Sequence, residues 1–373
     1  MRESVTLFLS GDVMTGRGID QILPHPSAPQ LFEAHVASAL DYVSLAEAAA
    51  GPIPRRVGFE YVWGDALAEL EQRHPDLRII NLETAVTTSD QAVLHKGIHY
   101  RMHPDNVPCL AAARIDCCTL ANNHVLDWGR AGLLETLAVL HRAQISTAGA
   151  GRDAQEAHAP AGLATPAGGR ILVFAFGLPG SGVPREWRAR RTRAGVSWIE
   201  DLSERSVQAV ARRIEIHTRP GDLVIASLHW GGNWGYGIGA DERQFAHRLI
   251  EAAGVHLIHG HSSHHAKPLE LYRDKLILYG CGDLLNDYEG IGGYEEFRGD
   301  LSLMYFPTLD AASGALVSLS MVPMQTRRFR LNRAPAAAVE WLAETLGREC
   351  AKLGMHIGRR ADGTLGLLGR AVV

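Results

Sequence analysis

The chain has 373 residues, 46% of them hydrophobic and 21% charged, and a net charge of −4. That profile suits a folded protein of one large domain or two ordinary ones, and it excludes a general affinity for nucleic acid, which needs a basic surface. No apolar run approaches the ~18 residues of a membrane span. The opening MRESVTLFLSGDVM lacks a signal-peptide core, so a cytoplasmic protein with no membrane partner is expected.

Taken in chain order, short apolar runs end on polar residues. VTLFLS leads into Gly11 and Asp12, LRII into Asn81, Leu82 and Glu83, and CCTLA into Asn122, Asn123 and His124. DLVIASL leads into His229 and Trp230, VHLI into His259, Gly260 and His261, and KLILYG into Cys281, Gly282 and Asp283. These runs read as buried strands. Helical patterns lie between them near residues 64–74, 129–142, 204–217, 240–252 and 335–350. The alternation predicts an α/β layered fold, with LSLMYFP and ALVSLSMVPM as later antiparallel strands. Residues 20–60 and 178–200 lack clear periodicity and read as long loops. One domain over residues 1–330 with a helical extension over 331–373 is expected. The cysteines, Cys109, Cys117, Cys118, Cys281 and Cys350, form no C-x-x-C pair and read as buried thiols.

In layered α/β folds ligands bind outside the carboxyl ends of strands. Six strand ends carrying Asp, Glu, Asn or His therefore point to one shared site. The stretch HLIHGHSSHHAKP, residues 256–268, forms one wall of it. The donors are oxygen and imidazole without sulfur, which suits one or two divalent ions such as Ca, Mn, Mg or Zn. Asp127, ahead of WGRAGLLETL, reads as a helix N-cap. Trp230 and Trp234 read as an aromatic wall for a substrate, and Arg17 and Arg101 as clamps for a carboxylate or phosphate. The arginine-rich stretch 185–193 reads as a solvated loop, or as a holder of acidic groups.

The ordered motifs GDVMTGR (residues 11–17), NLE (81–83), NNH (122–124), HWG (229–231) and GHSSH (260–264) resemble those of the CapA-like, capsule-synthesis branch of the calcineurin-like metallophosphoesterases. The resemblance implies a four-layer α/β/β/α sandwich with a metal site at the strand ends. It implies Asp12, Glu83, Asn123, His229 and His261 as metal ligands and His124 as a proton donor. His264 fits the spacing of the last motif. The first motif has no histidine two residues after Asp12, and LYGCGDLLND places Asp283 beside the site. These departures favour one metal with separate acid–base pairs.

The whole chain is also similar to cytosolic epimerases of lasso-peptide biosynthesis. That similarity implies inversion of the α-carbon of a C-terminal residue, Trp, in a ribosomally made precursor peptide, which would be the partner, with a homo-oligomer as a further expectation. His124 and His261 would be the acid and base, oriented by Asp12 and Asp283. The alternatives are a metal-dependent hydrolase of phosphate esters or amides, and an assembly protein for polyglutamate capsule.

Overall fold

Alternation along the strands decides what each face covers. In the strand Arg170–Gly177, Ile171, Val173 and Ala175 turn inward to the main core, while Leu172, Phe174 and Phe176 turn outward to a second core. Asp222–His229 repeats the pattern, with Leu223 and Ile225 inward and Val224, Ala226 and Leu228 outward. The outward face is covered by helices Glu204–Glu215 and Ala240–Ala253 through Val207, Val210, Phe245 and Leu249.

The computed structural model describes residues 4–94, 96–166 and 168–368. Two main sheets face one another. The first runs Ile357–Arg359, Leu365–Leu367, Leu316–Thr326, Leu301–Asp310, Ser4–Val13, Leu77–Leu82, Cys117–Thr119, Ser146–Ala148. Asp283–Leu285 and Leu331–Arg333 pair off this path. The last four strands of the path run parallel, and Leu301–Asp310 and Leu316–Thr326 pair antiparallel. The second sheet runs Leu269–Tyr272, Lys275–Leu278, Leu257–His261, Asp222–His229, Arg170–Gly177, Ala161–Ala164. Helices lie outside the sheets, giving the layered α/β fold that the strand–helix alternation predicts. The parallel strands of both sheets deliver their carboxyl ends to one edge, where the polar residues collect.

Three regions differ from expectation. The stretch 20–60 contains the helix Ala39–Ala50, capped by Ser38, which accepts from the Leu40 amide. It buries Ala39, Tyr42, Val43 and Ala46 at helical spacing, but alanines on both faces blur that stripe in the sequence. The stretch after residue 331 is not helical alone. It holds the helix Ala336–Ala351 and the strands Leu331–Arg333, Ile357–Arg359 and Leu365–Leu367, all three in the first sheet. The strand Arg170–Gly177 is central to the second sheet, yet it ends on no polar residue and so gives no functional signal. All five cysteines are free and buried. Among the described residues no helix is long and apolar enough to cross a membrane.

Candidate metal centre

Asp12 occupies the end of Ser4–Val13, beside Asp283 in register. The two strands approach so closely that a Cβ on Gly11 would lie 1.8 Å from the Gly282 carbonyl oxygen, so only glycine fits there. The Asp12 carboxylate accepts from Asn81 Nδ2 at 2.6 Å and from the Ser262 amide at 3.1 Å. Ser262 reaches it with a φ of 103°, a strained backbone held at the site.

Period-two alternation puts Ser227, His229, His259 and His261 on the inner face of the second sheet. His259 Nε2 donates across the interface to the Ser10 carbonyl at 2.7 Å, so this histidine ties the sheets together. His261 Nε2 meets Ser227 Oγ at 2.7 Å, which leaves its Nδ1 facing His229 Nδ1 at 2.8 Å and Asp12 at 3.7 Å. His229 Nε2 lies 3.0 Å from Asn123 Oδ1 and 3.6 Å from Glu83 Oε1. Burial holds both imidazoles far below their ordinary value, in the neutral form that binds metals.

Ligand atoms of Asp12, His229 and His261 lie within 4.8 Å of one another. Glu83 is buried beside them, and its Oε2 has no hydrogen-bond partner. Burial, and then the neighbouring charge of Asp283, push Asp12 up to about 7. Glu83 is also driven up, by burial first and Asp12 second. Crowded carboxylates facing neutral imidazoles lack a positive charge at their centre, and a divalent cation fits that donor set. Asp12, Glu83, Asn123, His229 and His261 would hold it.

Two further histidines face a cavity of about 1040 Å³ that opens over this group. His124 Nδ1 is 2.7 Å from Asp127 Oδ2 and 2.8 Å from Lys96 Nζ, and its Nε2 points toward Glu83 Oε1 at 3.8 Å. Lys96 Nζ pairs with Asp127 Oδ1 at 2.6 Å. His264 Nδ1 is 3.0 Å from Asp283, which also accepts from Asn286 Nδ2.

These contacts revise several expectations. Asp127, not Asp12 or Asp283, orients His124; it does not cap the following helix but accepts from the Tyr100 amide. His261 has no orienting carboxylate on its Nε2; Asp283 serves His264 instead. Trp230 is no substrate wall: it is buried between Phe245 and Tyr279 and donates to the Tyr279 carbonyl. Trp234 does line the cavity, stacked on Tyr294 at 4.1 Å. Arg101 lies over Trp128 and joins Ser89, Asp90 and Ala28, away from the cavity. Arg17 lines the cavity, but its guanidinium is engaged by Asp287 and Glu33 under Tyr42. Asn122 holds the turn by accepting the amides of His124 and Val125. Lys96 carries no motif in the sequence, and for Asn81 the one signal is its place at the head of NLE.

A family model described as bacterial capsule synthesis protein PGA_cap matches residues 6–288. The chain belongs to that family. PGA_cap proteins are CapA-like members of the metallophosphoesterase-type superfamily. Proteins of two Mycobacterium tuberculosis strains, each named probable polyglutamine synthesis accessory protein, are 48% identical over 97% of this chain and 95% of their own. The PGA biosynthesis protein CapA of Bacillus subtilis is 25% identical over 74% of this chain and 62% of its own. Such relatives overturn the expectation of a peptide epimerase acting on a lasso-type precursor. They point instead to the capsule-polymer alternative.

Proposed function

We propose that this protein is an accessory factor in the synthesis of a glutamate-type polymer, and that it holds a divalent cation at Asp12, Glu83, Asn123, His229 and His261. One observation carries the reading: Glu83 and Asn123 line a cavity roomy enough for a chain segment, with the buried Asp12, His229 and His261 group beside them. The names of the mycobacterial and Bacillus relatives supply the polymer class.

A divalent ion there would polarise a carbonyl oxygen and make bound water a stronger nucleophile. The chain's own groups complete an amide-cleaving site. Asp127 fixes His124 through Nδ1, so the neutral Nε2 is free to take a proton from the attacking water and pass it to the leaving amine. His264, steadied by Asp283, stands on the same cavity wall and binds carboxylate when protonated. Trp234 and Tyr294 shape an apolar side. Water would add across the amide, its hydroxyl to the carbonyl carbon and its proton to the nitrogen, trimming or releasing the polymer.

The test is complementation. A strain lacking the gene receives the wild-type gene or Asp12→Asn/His229→Gln, and polymer amount and length are measured. Wild type is expected to restore both and the variant neither. Full restoration by the variant would overturn the reading.

A further inference from the structure

A second polar cavity, of about 630 Å³, lies away from the metal centre, lined by His158 and by arginines of the 178–200 loop. The loop is fixed rather than loose. Trp187, Val196 and Trp198 are buried in the main core, and Gly195–Val196 pairs with Ala150–Gly151. Arg190 and Arg193 close a tight hairpin by exchanging backbone hydrogen bonds. With the apolar residues anchored inward, Arg185, Arg188, Arg190 and Arg191 turn out to solvent.

Glu186, exposed on the same cavity lining, forms an ion pair with none of these cations. Among the described residues, none of Arg185, Arg188, Arg190, Arg191 or Arg193 forms an ion pair, although Arg170, Arg243 and Arg298 elsewhere each hold a carboxylate. Arg193 Nε and Nη2 and His158 Nε2 are buried with no hydrogen-bond partner. Burial, then Arg213 and Arg188, push His158 down to about 4. Arg213 is itself lowered to about 10 by burial and Arg188. So strong a local positive field on a chain of net charge −4 calls for an external anion.

The loop also reaches the metal centre. Ser181 Oγ donates to the His229 carbonyl at 2.6 Å, and Gly182 lies against Asn123. An anion on the arginines would thus be held by the same rigid segment that braces the catalytic floor. Guanidinium groups repeated along a hairpin match carboxylates repeated along a chain better than a single small anion.

We infer that the 185–193 arginine loop is a docking site for a polycarboxylate, which makes the chain select the acidic polyglutamate over its neutral polyglutamine counterpart. This inference rests on the polymer-synthesis reading and deepens it by naming the substrate class.

The test uses the full chain and fluorescence anisotropy with labelled oligoglutamate and oligoglutamine of equal length, over a series of salt concentrations. Oligoglutamate is expected to bind and to weaken with salt, and oligoglutamine not to bind. Arg188→Glu/Arg190→Glu, both at exposed positions, should lose roughly tenfold or more in affinity, since charge-assisted contacts are worth more than neutral ones. Circular dichroism should show the variant folded. Equal binding of both oligomers, no binding of either, or unchanged affinity in the variant would overturn the inference. So would displacement by inorganic phosphate as effective as by oligoglutamate, which would mark a small phosphate site. If a deletion strain makes normal polymer while the loop still selects oligoglutamate, only the accessory-factor reading falls. If deletion abolishes the polymer and the loop binds nothing, only the docking site falls.

Discussion

His124 and His264 face one cavity, and each sets its Nδ1 on a buried carboxylate, yet their charge is tuned in opposite directions. Burial and then the adjacent Lys96 cation lower His124 to about 4, despite the opposing pull of Asp127. His264 is equally buried, but Asp283 and then Asp12 outweigh desolvation and raise it. The same imidazole–carboxylate pair thus yields a neutral proton carrier on one side and a cation on the other. What differs is the third charge, a lysine in one case and a second carboxylate in the other.

Among the cavity residues, the largest expected effect comes from breaking the first group. Lys96→Met leaves the buried Asp127 carboxylate with only His124 and the Tyr100 amide as partners, and should cost about 3 kcal/mol in denaturant unfolding. It should also raise the His124 titration toward its ordinary value, read from the imidazole NMR signal of metal-free protein. A fall or no change would mean that Lys96 does not set it. Next in size, Asp283→Asn removes the anion that holds His264 up. That histidine should then titrate below its ordinary 6.5, as buried His229, His259 and His261 do.

The pH dependence of stability sharpens the contrast. His264 has a folded value above its unfolded one, so its stabilisation is complete below pH 6.5 and is lost as the pH rises through the raised value. His124 has a folded value of about 4, so the unfolded chain binds its proton first, and stability falls as the pH drops from 6.5 toward 4. In metal-free protein, His264→Gln should flatten the alkaline limb of the stability curve and His124→Gln the acid limb. Both substitutions flattening the same limb would contradict the assignment. The smallest effect is expected from Trp234→Ala. This side chain leans on His264 at 5.3 Å from the cavity wall, and its loss should cost about 1 kcal/mol. Trp230→Ala, in the core, should cost about 3 to 5 kcal/mol.

The same contrast explains what the sequence made legible. The strand ends that build the centre were readable because Asp12, Glu83, Asn123, His229 and His261 each follow an apolar run, and the α/β class followed from that alternation. The groups that set the charge were not readable. Lys96 enters from a loop with no periodicity, and Asp127 looks like a cap because it stands just ahead of the helical pattern WGRAGLLETL. Trp230 and Arg101 were misread for a related reason. An aromatic or an arginine beside a motif has no sign in sequence that shows whether it faces a cavity or Phe245, Tyr279 and Trp128. The function was not legible from overall likeness, because the motifs belong to the capsule-synthesis family as a whole.

The most direct test of the central claim is the metal content of the purified full chain after loading and desalting, by inductively coupled plasma mass spectrometry, beside Asp12→Asn/His229→Gln. A stoichiometric divalent ion is expected in the wild type and its loss in the variant. A wild type that retains no ion, or a variant that retains as much, would contradict it.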